Sequence, residues 1–150
     1  MEIAAKIITI LERCKKEIQA NMQSRNINAS GRTSASLKVE TYAGGVRLVS
    51  AGERIAPFDT VQFGRPAGRV PRGFYYILKE WSREKGLTFD RESERSTFAY
   101  FLSRKIAREG TQRHSTPDEQ VYTPPVTEAV KEIRATIGAN VVQIIKGGEK

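Results

Sequence analysis

LKVETYAGGVRLVS, residues 37–50, separates an α+β reading of this chain from an all-helical one. Leu37, Val39 and Thr41 alternate with Lys38 and Glu40, so an extended segment would carry one more apolar face. Gly44-Gly45 supplies a turn signal, and Val46-Arg47-Leu48-Val49-Ser50 follows as a second β-rich run. Two such runs about a glycine turn predict a β-hairpin.

Upstream, Ile3, Ile7, Ile10, Leu11, Cys14, Ile18 and Met22 recur at three- and four-residue steps, with Lys6, Arg13, Lys15, Lys16 and Glu17 between them. That is an amphipathic helix, expected to stop between Asn26 and Ser30, where the polar run NASGRTSAS begins to break the pattern. Downstream, IAPFDTVQ (55–62) is ambiguous. Pro57 suits the first turn of a short helix and Gly64 its end. Phe74, Ile77, Leu78 and Trp81 then form an apolar stripe that Gly86 closes. A further helix is expected from Ser93 to Glu109, burying Phe98, Phe101, Leu102 and Ile106, with Arg95, Arg104, Lys105 and Arg108 in solvent and Gly110 at its end.

The segment TQRHSTPDEQVYTPP (111–125) reads as a long proline-bearing loop, and Val126, Ala129, Val130, Ile133 and Ile137 as a last helix. Val141-Val142-Gln143-Ile144-Ile145 is β-branched and bracketed by glycines, which favours a final strand over a continued helix. The expected fold is therefore α+β. A small antiparallel sheet, the 37–50 hairpin with a possible C-terminal strand, packs against an N-terminal helix and two or three further helices. At 150 residues the chain suits one domain, with 111–150 a candidate assembly arm.

The chemistry that the residues exclude is as informative. No apolar run approaches the ~18 residues of a membrane span and no signal-peptide pattern opens the chain, so the expectation is a soluble protein made in the cytoplasm. Cys14, on the apolar helical face, is the only cysteine and His114 the only histidine, which argues against a disulfide, a zinc site or a Cys-His pair. Pro117-Asp118 with Glu132-Ile133-Arg134 only caricatures a metal-dependent nuclease, because the second acid falls on a helix and not at a strand edge. In DRESER (90–95) Arg91 and Arg95 neutralise the acids, and a helix start explains them. Gly64, Gly68 and Gly73 are interrupted by prolines and no GK[ST] follows, so they do not make a phosphate loop. No catalysis and no cofactor are expected.

Binding remains. The formal charge is +8, and residues 65–113 hold twelve Lys and Arg against six Asp and Glu. Arg65, Arg69 and Arg72 lie in a Gly/Pro-kinked loop, FGRPAGRVPRG (63–73), with Tyr75 and Tyr76 beyond it. Such a surface could grip nucleic acid, with a tyrosine stacking on a base. The aromatic spacing fits a core face equally well, and no helix-turn-helix or RNA-binding aromatic motif is present.

The order of motifs is similar to that of the tail-completion or neck proteins of tailed bacteriophages. The parts that carry the likeness are Phe63-Gly64-Arg65, Pro66-Ala67-Gly68, Pro71, Trp81, Lys85-Gly86-Leu87 and FAYFLSRKIAREGT (98–111), preceded by SGRTSASL (30–37). Together they span residues 27–111, most closely 61–86. Gln62 and the pair Pro71-Arg72 stand where the family often carries an acid and two prolines. The resemblance implies a virion structural protein without catalysis, made in the bacterial host. It implies a homo-oligomeric ring at the portal-tail junction, meeting other neck, portal-adaptor or tail proteins, with genomic DNA passing through the lumen. On that reading Arg65, Arg69 and Arg72 form one assembly surface, and Val141, Val142, Ile144 and Ile145 a second. The alternative is a small basic nucleic-acid-binding protein.

Overall fold

A computed structural model of the protein describes residues 2–28, 31–50, 58–111 and 120–147, with side chains in all of these except 58, 59 and 143–147. The chain runs α1 (Glu2–Ser24), α2 (Arg32–Ala35), β1 (Leu37–Tyr42), β2 (Gly45–Ser50), α3 (Phe58–Phe63), α4 (Phe74–Glu84), α5 (Glu92–Glu109) and α6 (Thr123–Gly147). The α+β expectation holds.

The stop of α1 is chemical. Asn26 takes φ 51, and the Ile27 amide donates back to the Met22 carbonyl at 3.0 Å, the six-to-one bond of a left-handed C-cap. β1 and β2 pair antiparallel from Leu37↔Ser50 to Tyr42↔Gly45, as the alternation predicts. Leu37 and Leu48 turn toward α1, and Lys38 and Arg47 toward solvent.

The largest correction concerns the end of the chain. Residues 141–145 continue α6 and form no strand. α6 lies antiparallel on α1, with Arg13 paired to Glu132 and the Asn21 side-chain amide donating to the Val121 carbonyl at 2.9 Å. Its first half is core. Val121 and Ala129 close over Ile10, Cys14, Ile18, Met22 and Leu37. α6 also starts earlier than its apolar pattern, at Thr123, with Pro124 and Pro125 in its first turn, where their missing N–H groups cost nothing. Of the preceding loop, residues 112–119, including His114, Pro117 and Asp118, lie outside the described residues, as does Pro57.

A second cluster, Leu78, Ala99 and Ile106, joins α4 to α5. Gly86 at φ 70 turns the chain between them, and the Leu87 amide reaches the Ser82 carbonyl at 3.0 Å. Three expected faces are corrected here. Ile77 is 46% exposed and Phe101 63%, and Trp81 is only half-buried. Beside Leu78 and Ile106, the helices close on small residues, Ser82 and Ala99, both fully buried. Arg95, expected in solvent, is a latch. Its guanidinium donates to Ser82 Oγ at 2.9 Å and to the Leu87 carbonyl at 3.0 Å, and its Cζ sits 4.9 Å from the Phe89 ring centre.

Candidate functional site

The loop from Gly64 to Gly73 has a fixed path. Arg65 and Thr111 exchange two backbone hydrogen bonds, at 2.8 and 2.7 Å, and the Gly68 amide donates to the Ala107 carbonyl at 2.8 Å. The loop is thereby tied to the last turn of α5. Gly110 makes the approach possible. A Cβ built there would stand 2.8 Å from the Ala67 nitrogen and 2.9 Å from the Pro66 carbonyl carbon, and closer still to the Arg65 oxygen. Gly68 at φ 137 and Gly73 at φ 77 provide turns that residues with a Cβ rarely make.

This anchoring sorts the three predicted arginines. Arg65 is half-buried, its Cζ 5.3 Å from the Phe74 ring centre, so it braces the loop against α4. Arg69 and Arg72 are exposed. α4 and α5 are antiparallel, so the start of α4 and the end of α5 share one end of the pair with the loop. That end also carries Arg104, Lys105 and Arg108, all exposed. These three were missed as partners of the loop because they lie some forty residues away in sequence. Only the backbone bridges bring them there. They also suit their position electrostatically, since cations offset the negative end of a helix.

Glu109 is the acid at this end. Its hydrogen bond from Arg108, which Nη2 makes at 2.6 Å, holds the carboxyl below its usual range. The remaining cations offer planar, multiply donating groups to carboxylates or phosphates. Among the described residues no group of three or more His, Cys, Asp or Glu side chains converges as a metal site. Cys14 is buried in the first core cluster, and burial pushes its thiol pKa up, away from reactivity.

The second predicted surface is only partly described. Val141 is 47% and Val142 49% exposed, on a helix and not on a strand. The side chains of Ile144 and Ile145 lie outside the described residues.

Gln62 sits behind the loop and is fully buried. Its Oε1 accepts from the Tyr122 and Thr123 amides at 2.9 and 3.2 Å, and its Nε2 donates to Thr123 Oγ1 at 2.6 Å. It therefore caps α6 from α3 and satisfies two donors that a helix start leaves free. A carboxylate could accept the same two amides.

A groove of about 860 Å³ opens between the end of α1, α3 and the α4–α5 pair. Its apolar lining includes Met22, Ile27, Val61, Ile77, Trp81 and Ile106. A smaller cleft of about 650 Å³, containing Phe89, Phe98 and Phe101, shares Leu102 and Lys105 with it. Among the described residues no helix is long and apolar enough to cross a membrane. Compared with protein-family models, curated proteins and solved structures, the chain matches none.

Proposed function

We propose that the protein is a structural component of a phage virion, of the neck or tail-completion type, that assembles as a ring where head and tail join. The observation that carries this reading is the anchored basic loop. Its backbone is fixed before any partner arrives, and Arg69 and Arg72 are exposed at the end of the α4–α5 pair that also carries Arg104 and Arg108. A preformed surface loses little conformational entropy on docking, and arginine forks suit the carboxylates of an adjoining subunit or neck protein. The Gly/Pro loop 63–73 is thus an assembly surface, with Arg65 as its internal brace.

The test is a double charge reversal, Arg69→Glu with Arg72→Glu, which spares that brace. The variant should keep its circular dichroism spectrum and yield heads and tails that do not join in an extract lacking the normal protein. Joined, infectious particles at normal yield would overturn the proposal.

The same cluster of cations favours the second reading, a nucleic-acid binder, and salt separates the two. A protein gripping several phosphates loses duplex affinity by orders of magnitude over a few-fold rise in salt. On the assembly reading, DNA binds weakly and joining survives at salt concentrations that release it.

A further inference from the structure

We infer that the apolar groove receives the outer face of α6 from a second copy of this chain, in a head-to-tail contact. This deepens the ring reading and rests on it. The groove exposes Tyr76 at 69% and Ile77 at 46%, and Phe101, 63% exposed, stands in the adjoining cleft. By ordinary side-chain areas these three alone present roughly 400 Å², about half of the ~800 Å² that one partner contributes to a stable interface.

The matching surface is on α6. Val130, Ile137 and Val141 are 40–47% exposed and fall at i, i+7 and i+11, one stripe of a helix. Ala129 and Ile133, on the adjoining side of the helix, pack against α1. A helix that presents such a stripe to an apolar groove is a recurrent mode of recognition.

Geometry stops the chain from filling its own groove. α6 is held antiparallel along α1 through Arg13–Glu132 and the Asn21–Val121 bond. That register places Val141 opposite the first residues of α1, whereas the groove opens at Met22. Some eighteen residues of helix, about 27 Å at 1.5 Å each, separate the two. A surface and its complement at opposite ends of one rigid helix pair cannot meet within a molecule. They meet between copies, and the contact repeats. Because the two mating faces differ, the association is heterologous and closes as a ring when the rotation permits.

Cysteine cross-linking tests this, since the one native thiol is buried. Ile77→Cys and Val141→Cys are made separately in the full chain, mixed and oxidised with oxidised glutathione. The mixture should give a disulfide-linked dimer containing one of each, and neither variant alone should link to itself. Val141→Asp, with an unchanged circular dichroism spectrum, should weaken self-association at least tenfold by light scattering. A Val141→Cys homodimer would mean that α6 packs on α6 and would overturn the inference. So would oligomers without the mixed disulfide, or a monomer at every concentration. Head–tail joining by a protein that gives no mixed disulfide would leave the neck reading in place and remove only this contact.

Discussion

Adding one methyl group at Gly110 should release the arginine loop while the rest of the protein stays folded. Gly110 has φ 72 and ψ −168, a region almost closed to residues with a Cβ, and occupying it costs about 1–3 kcal/mol. The new Cβ would also overlap the Arg65 oxygen, the Ala67 nitrogen and the Pro66 carbonyl carbon. All three are backbone atoms, so no side-chain rotation relieves the overlap, and the loop has to move. Moving it breaks the Arg65–Thr111 pair and the Gly68–Ala107 bond, each worth about 0.5–1.5 kcal/mol net. The variant should therefore lose about 2–4 kcal/mol, which lowers the urea midpoint by about 1–2 M at an m of ~2 kcal/mol/M. Hydrogen exchange locates the damage. The Arg65, Gly68 and Thr111 amides should lose protection while those of α1 and α6 keep theirs. Gly86→Ala is the control, because that site has φ 70 with nothing within 4 Å of the new Cβ. It should cost about 1–2 kcal/mol from backbone strain alone and leave the loop amides protected. Unchanged protection at Gly68 and Thr111 in Gly110→Ala would refute the anchoring on which the proposed assembly surface depends.

Gln62→Leu should destabilise by about 1–3 kcal/mol, because the Tyr122 and Thr123 amides and the Thr123 hydroxyl lose their partner, whereas Gln62→Glu should lose less. Equal urea midpoints for Gln62→Leu and the unmodified protein would remove the capping role. Glu92 is held below the ordinary carboxyl value of 4.5, first by its hydrogen bond from Lys79 and then by Arg83, after a smaller opposing effect of desolvation. Its depressed folded-state value means that its contribution is present above about pH 5 and fades as pH falls through that value. Glu92→Gln should accordingly lower the melting temperature at pH 7 and make no difference at pH 2.5, and a constant gap between the two melting curves would contradict this. Trp81 is the only tryptophan and lines the groove half-buried. Its emission should shift to the blue as concentration drives self-association, and a spectrum independent of concentration across the oligomerisation range would count against occupation of the groove.

Local chemistry was legible. The hairpin, α1, α4 and α5 follow from alternation, helical spacing and the stops at Asn26, Gly86 and Gly110. What misled was content that only distant partners decide. Residues 141–145 are rich in β-branched side chains and favour a strand locally, yet they continue α6, whose earlier turns are packed on α1. Spacing also turned Ile77 and Phe101 inward because it weighs hydrophobicity. The α4–α5 contact is instead made by Leu78 and Ile106 together with Ser82 and Ala99, where small side chains let the helices close, and Ile77 and Phe101 are left outside. As for the site, the loop arginines could be read in sequence, but the division between Arg65 as brace and Arg69 and Arg72 as free groups depends on the ring of Phe74. The contribution of Arg104, Lys105 and Arg108 depends on two backbone bridges that span some forty residues.

The antiparallel pairing of α1 with α6 also sets the order of events during synthesis. The apolar face of α1, Ile10, Cys14, Ile18 and Met22, leaves the ribosome first, but Val121 and Ala129 follow about a hundred residues later. At ~5–20 residues per second that face waits about 5–20 s for its partner, whereas α4 and α5, joined by a short turn, can close as soon as both have emerged. The α4–α5 hairpin should thus form early and the main core last. Early termination within α6 would yield a chain with a formed hairpin and an uncovered α1, the kind of species that chaperones retain and proteases clear.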